Sequence, residues 1–144
     1  MRGGGARAPP RRPVAPHGRR RYPAGLPMAD VVHLIRDLLF VSKLREAAEP
    51  LGTEVQGTRT AEACVEAARG ARLVVLDLRL PEALRALELL AAAPETAGVR
   101  SVGFVDHERT DVMETARALG CGRVLAKGQL AAELPRLVAE ARGA

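Results

Sequence analysis

The chain has 144 residues, enough for one domain with one core. It is 47% hydrophobic and 27% charged, yet its only aromatics are Tyr22, Phe40 and Phe104, which removes the stacking platforms that readers of single-stranded nucleic acid use. The net charge of +5 is uneven: residues 1–28 carry seven arginines and no acid, leaving 15 basic against 17 acidic residues elsewhere, a balance of −2 that argues against a nucleic-acid-binding face on the folded part.

Residues 1–28 also hold six of the ten prolines and five of the fourteen glycines. Such a segment lacks the apolar content to offset ordering entropy, so it is expected to be a disordered basic tail, with a single domain over 29–144. It is either an inert or upstream extension, with Met28 as the start of the domain, or an arm that attracts nucleic acid without sequence preference.

From Val31 onward, strand and helix signals alternate. Val31 to Ile35 is an apolar run of the kind covered on both faces. Phe40, Leu44, Ala48 and Leu51 then recur at helical spacing until Gly52. Thr53 to Thr58 is a short edge strand, and Thr60 caps a helix from Ala61 to about Arg69. Arg72 to Asp77 is the third strand, and Pro81 suits the first turn of the helix that follows, with Leu84, Leu87 and Leu90 inward and Pro94 as its stop. Ser101 to Val105 is the fourth strand. A helix opened by His107 or Thr110 carries Val112, Ala116 and Leu119 on one face and closes at Gly120. Gly122 to Ala126 is the fifth strand, and a last helix carries Leu130, Leu134, Leu137, Val138 and Ala141. Pro135 is expected to kink that helix or delay its start.

Five strands alternating with five helices make an α/β fold: a five-stranded parallel sheet with helices on both faces, in the flavodoxin-like order 2-1-3-4-5. Such sheets place their sites at the C-terminal strand ends, where Asp37, Asp77, Asp106 and Lys127 would converge. Clustered carboxylates suit Mg²⁺, and a lysine could neutralise a phosphoryl oxygen. His33 reads as a satisfied core or edge histidine. His107 lies at the cleft rim with no nucleophile beside it. Cys64 and Cys121 sit in no ligand cluster and read as small buried thiols of a reducing, cytoplasmic compartment. No apolar run is long enough to span a membrane, and no Walker A or GxGxxG motif follows a strand.

The segment Val75-Leu76-Asp77-Leu78-Arg79-Leu80-Pro81, with Arg36-Asp37 after the first strand, Ala118-Leu119-Gly120-Cys121-Gly122 before the fifth and Lys127 after it, resembles the response-regulator receiver domain over residues 31–142. The resemblance implies that Asp77 is the candidate phosphoacceptor, Asp37 and Asp77 the metal ligands, and Lys127 the residue that contacts the phosphoryl group. It implies Mg²⁺ as cofactor. It implies a histidine kinase or a downstream effector as partner, or a second copy of the chain, met through the face formed by the fourth helix, fifth strand and fifth helix.

Four departures from the family pattern suggest a degenerate, non-enzymatic pseudo-receiver. Arg36 stands where the family has an acid, which weakens metal binding. Asp106 stands where it has a hydroxyl. At ~4 Å a carboxylate would repel a phosphoryl oxygen by about 4 kcal/mol at an effective dielectric near 20. Val124 replaces the aromatic that rotates on activation, and Gly128 replaces the proline after the lysine. Asp77 is therefore a phosphoacceptor in an unusual site, a carboxylate fixed in an ion pair with Arg36 or Lys127, or an ordinary strand-end residue. The second is the working expectation. A small ligand-binding or enzymatic domain using the same cleft is the alternative of another class.

Overall fold

The computed structural model describes residues 29–142; the basic segment 1–28 lies outside the described residues. Five strands alternate with five helices: β1 Val31–Leu34, α1 Leu38–Ala48, β2 Val55–Gly57, α2 Ala61–Ala68, β3 Leu73–Asp77, α3 Pro81–Ala92, β4 Arg100–Val105, α4 Thr110–Ala118, β5 Arg123–Ala126 and α5 Lys127–Ala141. The strands form one parallel sheet in the order β2-β1-β3-β4-β5, the flavodoxin-like arrangement expected from the sequence. The register sets Leu34 beside Leu76 and Asp77 beside Phe104, so the ends of the three central strands lie level.

Every residue of β1 and β3 is buried, because both faces of these strands are covered. Alternate residues feed two cores. Val32, Leu34, Val74 and Leu76 meet α2 and α3 through small residues, among them Ala61, Cys64, Ala83 and Ala86, which let those helices lie close to the sheet. Val31, Val75, Val102 and Phe104 meet α1 and α5 through Phe40, Leu44, Leu130, Leu134 and Leu137. Phe40 and Phe104 stack with ring centroids 4.5 Å apart, which ties the first turn of α1 to the end of β4.

Local signals place the helix ends. Thr60 accepts the Ala63 N–H at 3.0 Å as the N-cap of α2. Pro81 opens α3, and Glu82 accepts the Ala61 N–H at 2.7 Å, joining the starts of α2 and α3. Two details differ from the sequence reading. The periodic stripe from Phe40 to Leu51 is not one helix: α1 ends at Ala48, and a 3-10 turn, Glu49–Leu51, follows because Pro50 has no N–H to continue the ladder. Gly52, at a φ of 69°, closes it. In addition, α5 begins immediately after β5, so Pro135 lies inside the helix without delaying its start.

Candidate functional site at the strand ends

Asp77 is the last residue of β3 and is fully buried. A buried carboxylate is tolerated only when its oxygens are satisfied. Oδ1 accepts from the Arg79 backbone N–H at 3.2 Å and from Arg79 Nε at 2.9 Å. Oδ2 accepts from Arg79 Nη2 at 2.9 Å and from the Arg36 backbone N–H at 3.5 Å. Arg79 thus holds Asp77 in a two-pronged, charge-assisted pair, the strong form of this contact. The turn after β3 brings the two together. Leu80 N–H bonds back to the Asp77 carbonyl at 3.0 Å, and Leu78 N–H to the Phe104 carbonyl at 2.9 Å, so Arg79 folds over the carboxylate two residues before it.

Gly103 makes that turn possible. The Leu78 side chain lies over it, and a β-carbon at 103 would sit 2.7 Å from Leu78 Cδ1. A side chain there would push the 78–80 turn away from β4.

Asp37, after β1, is the N-cap of α1. Its Oδ1 accepts the Phe40 N–H at 3.2 Å, and its Oδ2 accepts from Lys127 Nζ at 2.5 Å. The hydrogen bond from Lys127, followed by that from Phe40, holds the Asp37 carboxyl below the usual carboxylate range. Asp106, after β4, is exposed. The Asp77 hydrogen bond and the fields of Asp77, Asp106 and Asp37, outweighing partial burial, bind the proton of the Arg79 guanidinium more firmly than usual. Arg79 is therefore the cation toward which all three strand-end carboxylates act. Among the described residues, no group of three or more His, Cys, Asp or Glu side chains is placed to hold a metal ion.

The expected ion pair on Asp77 is present, but neither expected partner makes it. Arg36 sends its backbone N–H toward Asp77 and leaves its side chain exposed, because the chain turns outward into α1 at this point. Lys127, the first residue of α5, reaches across the sheet end to Asp37 instead. Arg79 was the missed residue. Its signal was its place two residues after a buried carboxylate, within reach of it around one turn.

His33 corrects a second expectation. It is buried, at 4% exposure, but not satisfied: neither ring nitrogen has a hydrogen-bond partner. Burial, assisted by Arg45, lowers its pKa from 6.5 to about 4, so the ring is neutral at pH 7. His107 is exposed, with its Nε2 3.9 Å from Glu108. Cys64 and Cys121 are buried free thiols, and burial pushes Cys64 up to about 11. Among the described residues, no helix is long and apolar enough to cross a membrane.

No protein-family model and no curated protein matches the chain. Solved structures do. The receiver domain of a sensor histidine kinase from Pseudomonas aeruginosa, with magnesium coordinated in its active-site cleft, is similar at 19% identity and a TM-score of 0.66, over 81% of this chain and 99% of that one. The chain has the receiver fold. The receiver domain of NtrX from Brucella abortus is similar at 19% identity and a TM-score of 0.64, over 79% and 98% of the two chains. The phosphorylated cyanobacterial phytochrome response regulator RcpA is similar at 16% identity and a TM-score of 0.63, over 78% and 90%. Within this fold Asp77 ends β3, Asp37 lies between β1 and α1, and Lys127 follows β5.

Proposed function

We propose that the chain is a receiver-like signalling domain that acts through protein–protein contacts, with Arg79 standing where a receiver would hold a metal ion. The bidentate Arg79–Asp77 pair carries this reading. A carboxylate must be free to attack a phosphoryl donor, and here three of its four accepted hydrogen bonds come from Arg79.

As arranged, the carboxylates do not fit a magnesium ion. Asp77 faces a guanidinium and Asp37 an ammonium, so a dication would have to displace one positive charge and be repelled by the other. Magnesium affinity is accordingly weakened and phosphoryl transfer to Asp77 impaired. Lys127, engaged with Asp37, is not free to meet a phosphoryl oxygen. Asp106 adds repulsion on the remaining side. With the charge of Asp77 already compensated, the domain holds one state without chemistry and presents a fixed surface to a cytoplasmic partner. The face formed by α4, β5 and α5 is the candidate contact, with a kinase, a downstream effector or a second copy as occupant.

The second reading is an active receiver, phosphorylated on Asp77 by a histidine kinase. The placement of Asp77, Asp37 and Lys127 at level strand ends favours it. Magnesium titration of wild type and Arg79→Ala by calorimetry separates the two. The proposal expects no saturable heat for wild type below about 10 mM, and saturable binding once the guanidinium is removed from the carboxylates. Submillimolar binding by wild type supports the active receiver.

A further inference from the structure

At the β2 edge of the sheet, a groove of about 360 Å³ lies between α1, the ends of β1 and β2, and the loop into α2. Arg36, Arg45 and Arg59 border it, and no acidic side chain does. None of the three arginines has a carboxylate within ion-pairing distance among the described residues, whereas Arg79, Arg85, Arg100 and Arg123 each hold one. Three unpaired guanidinia around one concavity focus positive potential into it.

His33 lines the same groove. Its ring is almost wholly buried, and both nitrogens lack partners among the described residues. A buried imidazole left this way loses the hydrogen bonds it had in water, and such a group calls for an explanation. The neutral ring offers one N–H donor and one acceptor. Gly57 leaves room for that ring at the groove wall: a β-carbon there would lie 2.8 Å from His33 Cε1. Leu38, 80% exposed, supplies an apolar wall beside the cations.

We propose that this groove binds a small phosphorylated molecule of mononucleotide size. Arg36, Arg45 and Arg59 would take the phosphate, His33 a polar group of the body and Leu38 its flat face. The volume falls near the lower end of the ~300–1,000 Å³ range of small-molecule sites. Guanidinia suit phosphate because they meet its oxygens two at a time. The groove borders the strand-end site through Arg36, whose N–H reaches Asp77, but the proposal stands whether or not Asp77 is ever phosphorylated.

The test follows the imidazole ¹⁵N resonances of His33 while AMP, inorganic pyrophosphate or adenosine is titrated into the full chain, with calorimetry in parallel. AMP is expected to shift His33 saturably and to bind more tightly than pyrophosphate, with adenosine weakest. Arg45→Ala and Arg59→Ala, both at exposed side chains, should each weaken AMP by about tenfold, while Arg117→Ala leaves it unchanged. The same titration in Asp77→Asn should give the same affinity, which separates this site from the fate of the aspartate. Unmoved His33 resonances at 10 mM AMP, AMP binding unaffected by Arg45→Ala and Arg59→Ala, or tighter binding of an oligoglutamate peptide than of AMP would each overturn the proposal.

Discussion

Arg79 grips Asp77 from only two residues away, with Nε and Nη2 both 2.9 Å from the carboxylate oxygens. The carboxylate is fully buried, while the guanidinium keeps 38% of its side chain exposed. The pair therefore sits at a boundary. It is buried enough that Asp77 cannot be left alone, and open enough that water screens part of the attraction.

Arg79→Ala should lower stability by about 2 kcal/mol in the absence of divalent cations, because Asp77 then keeps only backbone donors. Asp106 would add repulsion, and so would Asp37 to the extent that Lys127 does not offset it. Millimolar magnesium should restore much of the loss in this variant and change wild type little. Thermal melts of both proteins with and without magnesium check this. An equal response of the two proteins would count against Arg79 as the resident cation.

Stability should also fall as the medium is acidified from about pH 6.5 toward pH 4, through His33. The folded state holds this ring at about 4 against 6.5 when unfolded, so in that window the unfolded chain binds the extra proton. The contribution is fully present above pH 6.5. It amounts to at most about 3 kcal/mol and is lost as pH drops toward 4. Denaturant melts at pH 7, 5.5 and 4.5 should show the decline, and His33→Val should flatten it over the same interval. The paired carboxylates Asp37, Glu62 and Glu133, held low by Lys127, Arg85 and Arg123, contribute their own losses at still lower pH.

Gly103→Ala should destabilise by about 1–3 kcal/mol, since its β-carbon would lie 2.7 Å from a buried Leu78 whose neighbours leave little room. The displaced 78–80 turn should also disturb Arg79. The variant should bind magnesium more readily than wild type for its modest loss of stability, and calorimetry measures both.

Phe40→Ala removes the ring stacked on Phe104 and should cost about 3–4 kcal/mol. Phe40 also donates its N–H to Asp37, so the Lys127–Asp37 contact should loosen. The Lys127 side-chain resonances would report this by NMR.

The sheet was legible in the sequence because parallel strands covered on both faces need unbroken apolar runs, and Val31 to Ile35 and Leu73 to Leu76 are such runs. Thr60, Pro81 and Gly52 mark their turns and caps through side-chain chemistry that acts locally. The strand-end carboxylates were legible for the same reason, since topology alone brings Asp37 and Asp77 to one edge. Their partners were not. An ion pair depends on which way a side chain leaves the backbone. At Arg36 the backbone turns its N–H inward, and at Arg79 a tight turn returns the guanidinium onto Asp77. The orphaned nitrogens of His33 were hidden likewise, because an apolar strand pattern shows that a histidine is buried but not whether anything meets it.

Intact-protein mass spectrometry after incubation with acetyl phosphate and magnesium tests most directly whether Arg79 blocks phosphorylation of Asp77. Wild type should show no phosphoryl adduct, and Arg79→Ala an adduct that disappears in the Arg79→Ala, Asp77→Asn double variant. A near-stoichiometric adduct on wild type that is abolished by Asp77→Asn alone would contradict that block.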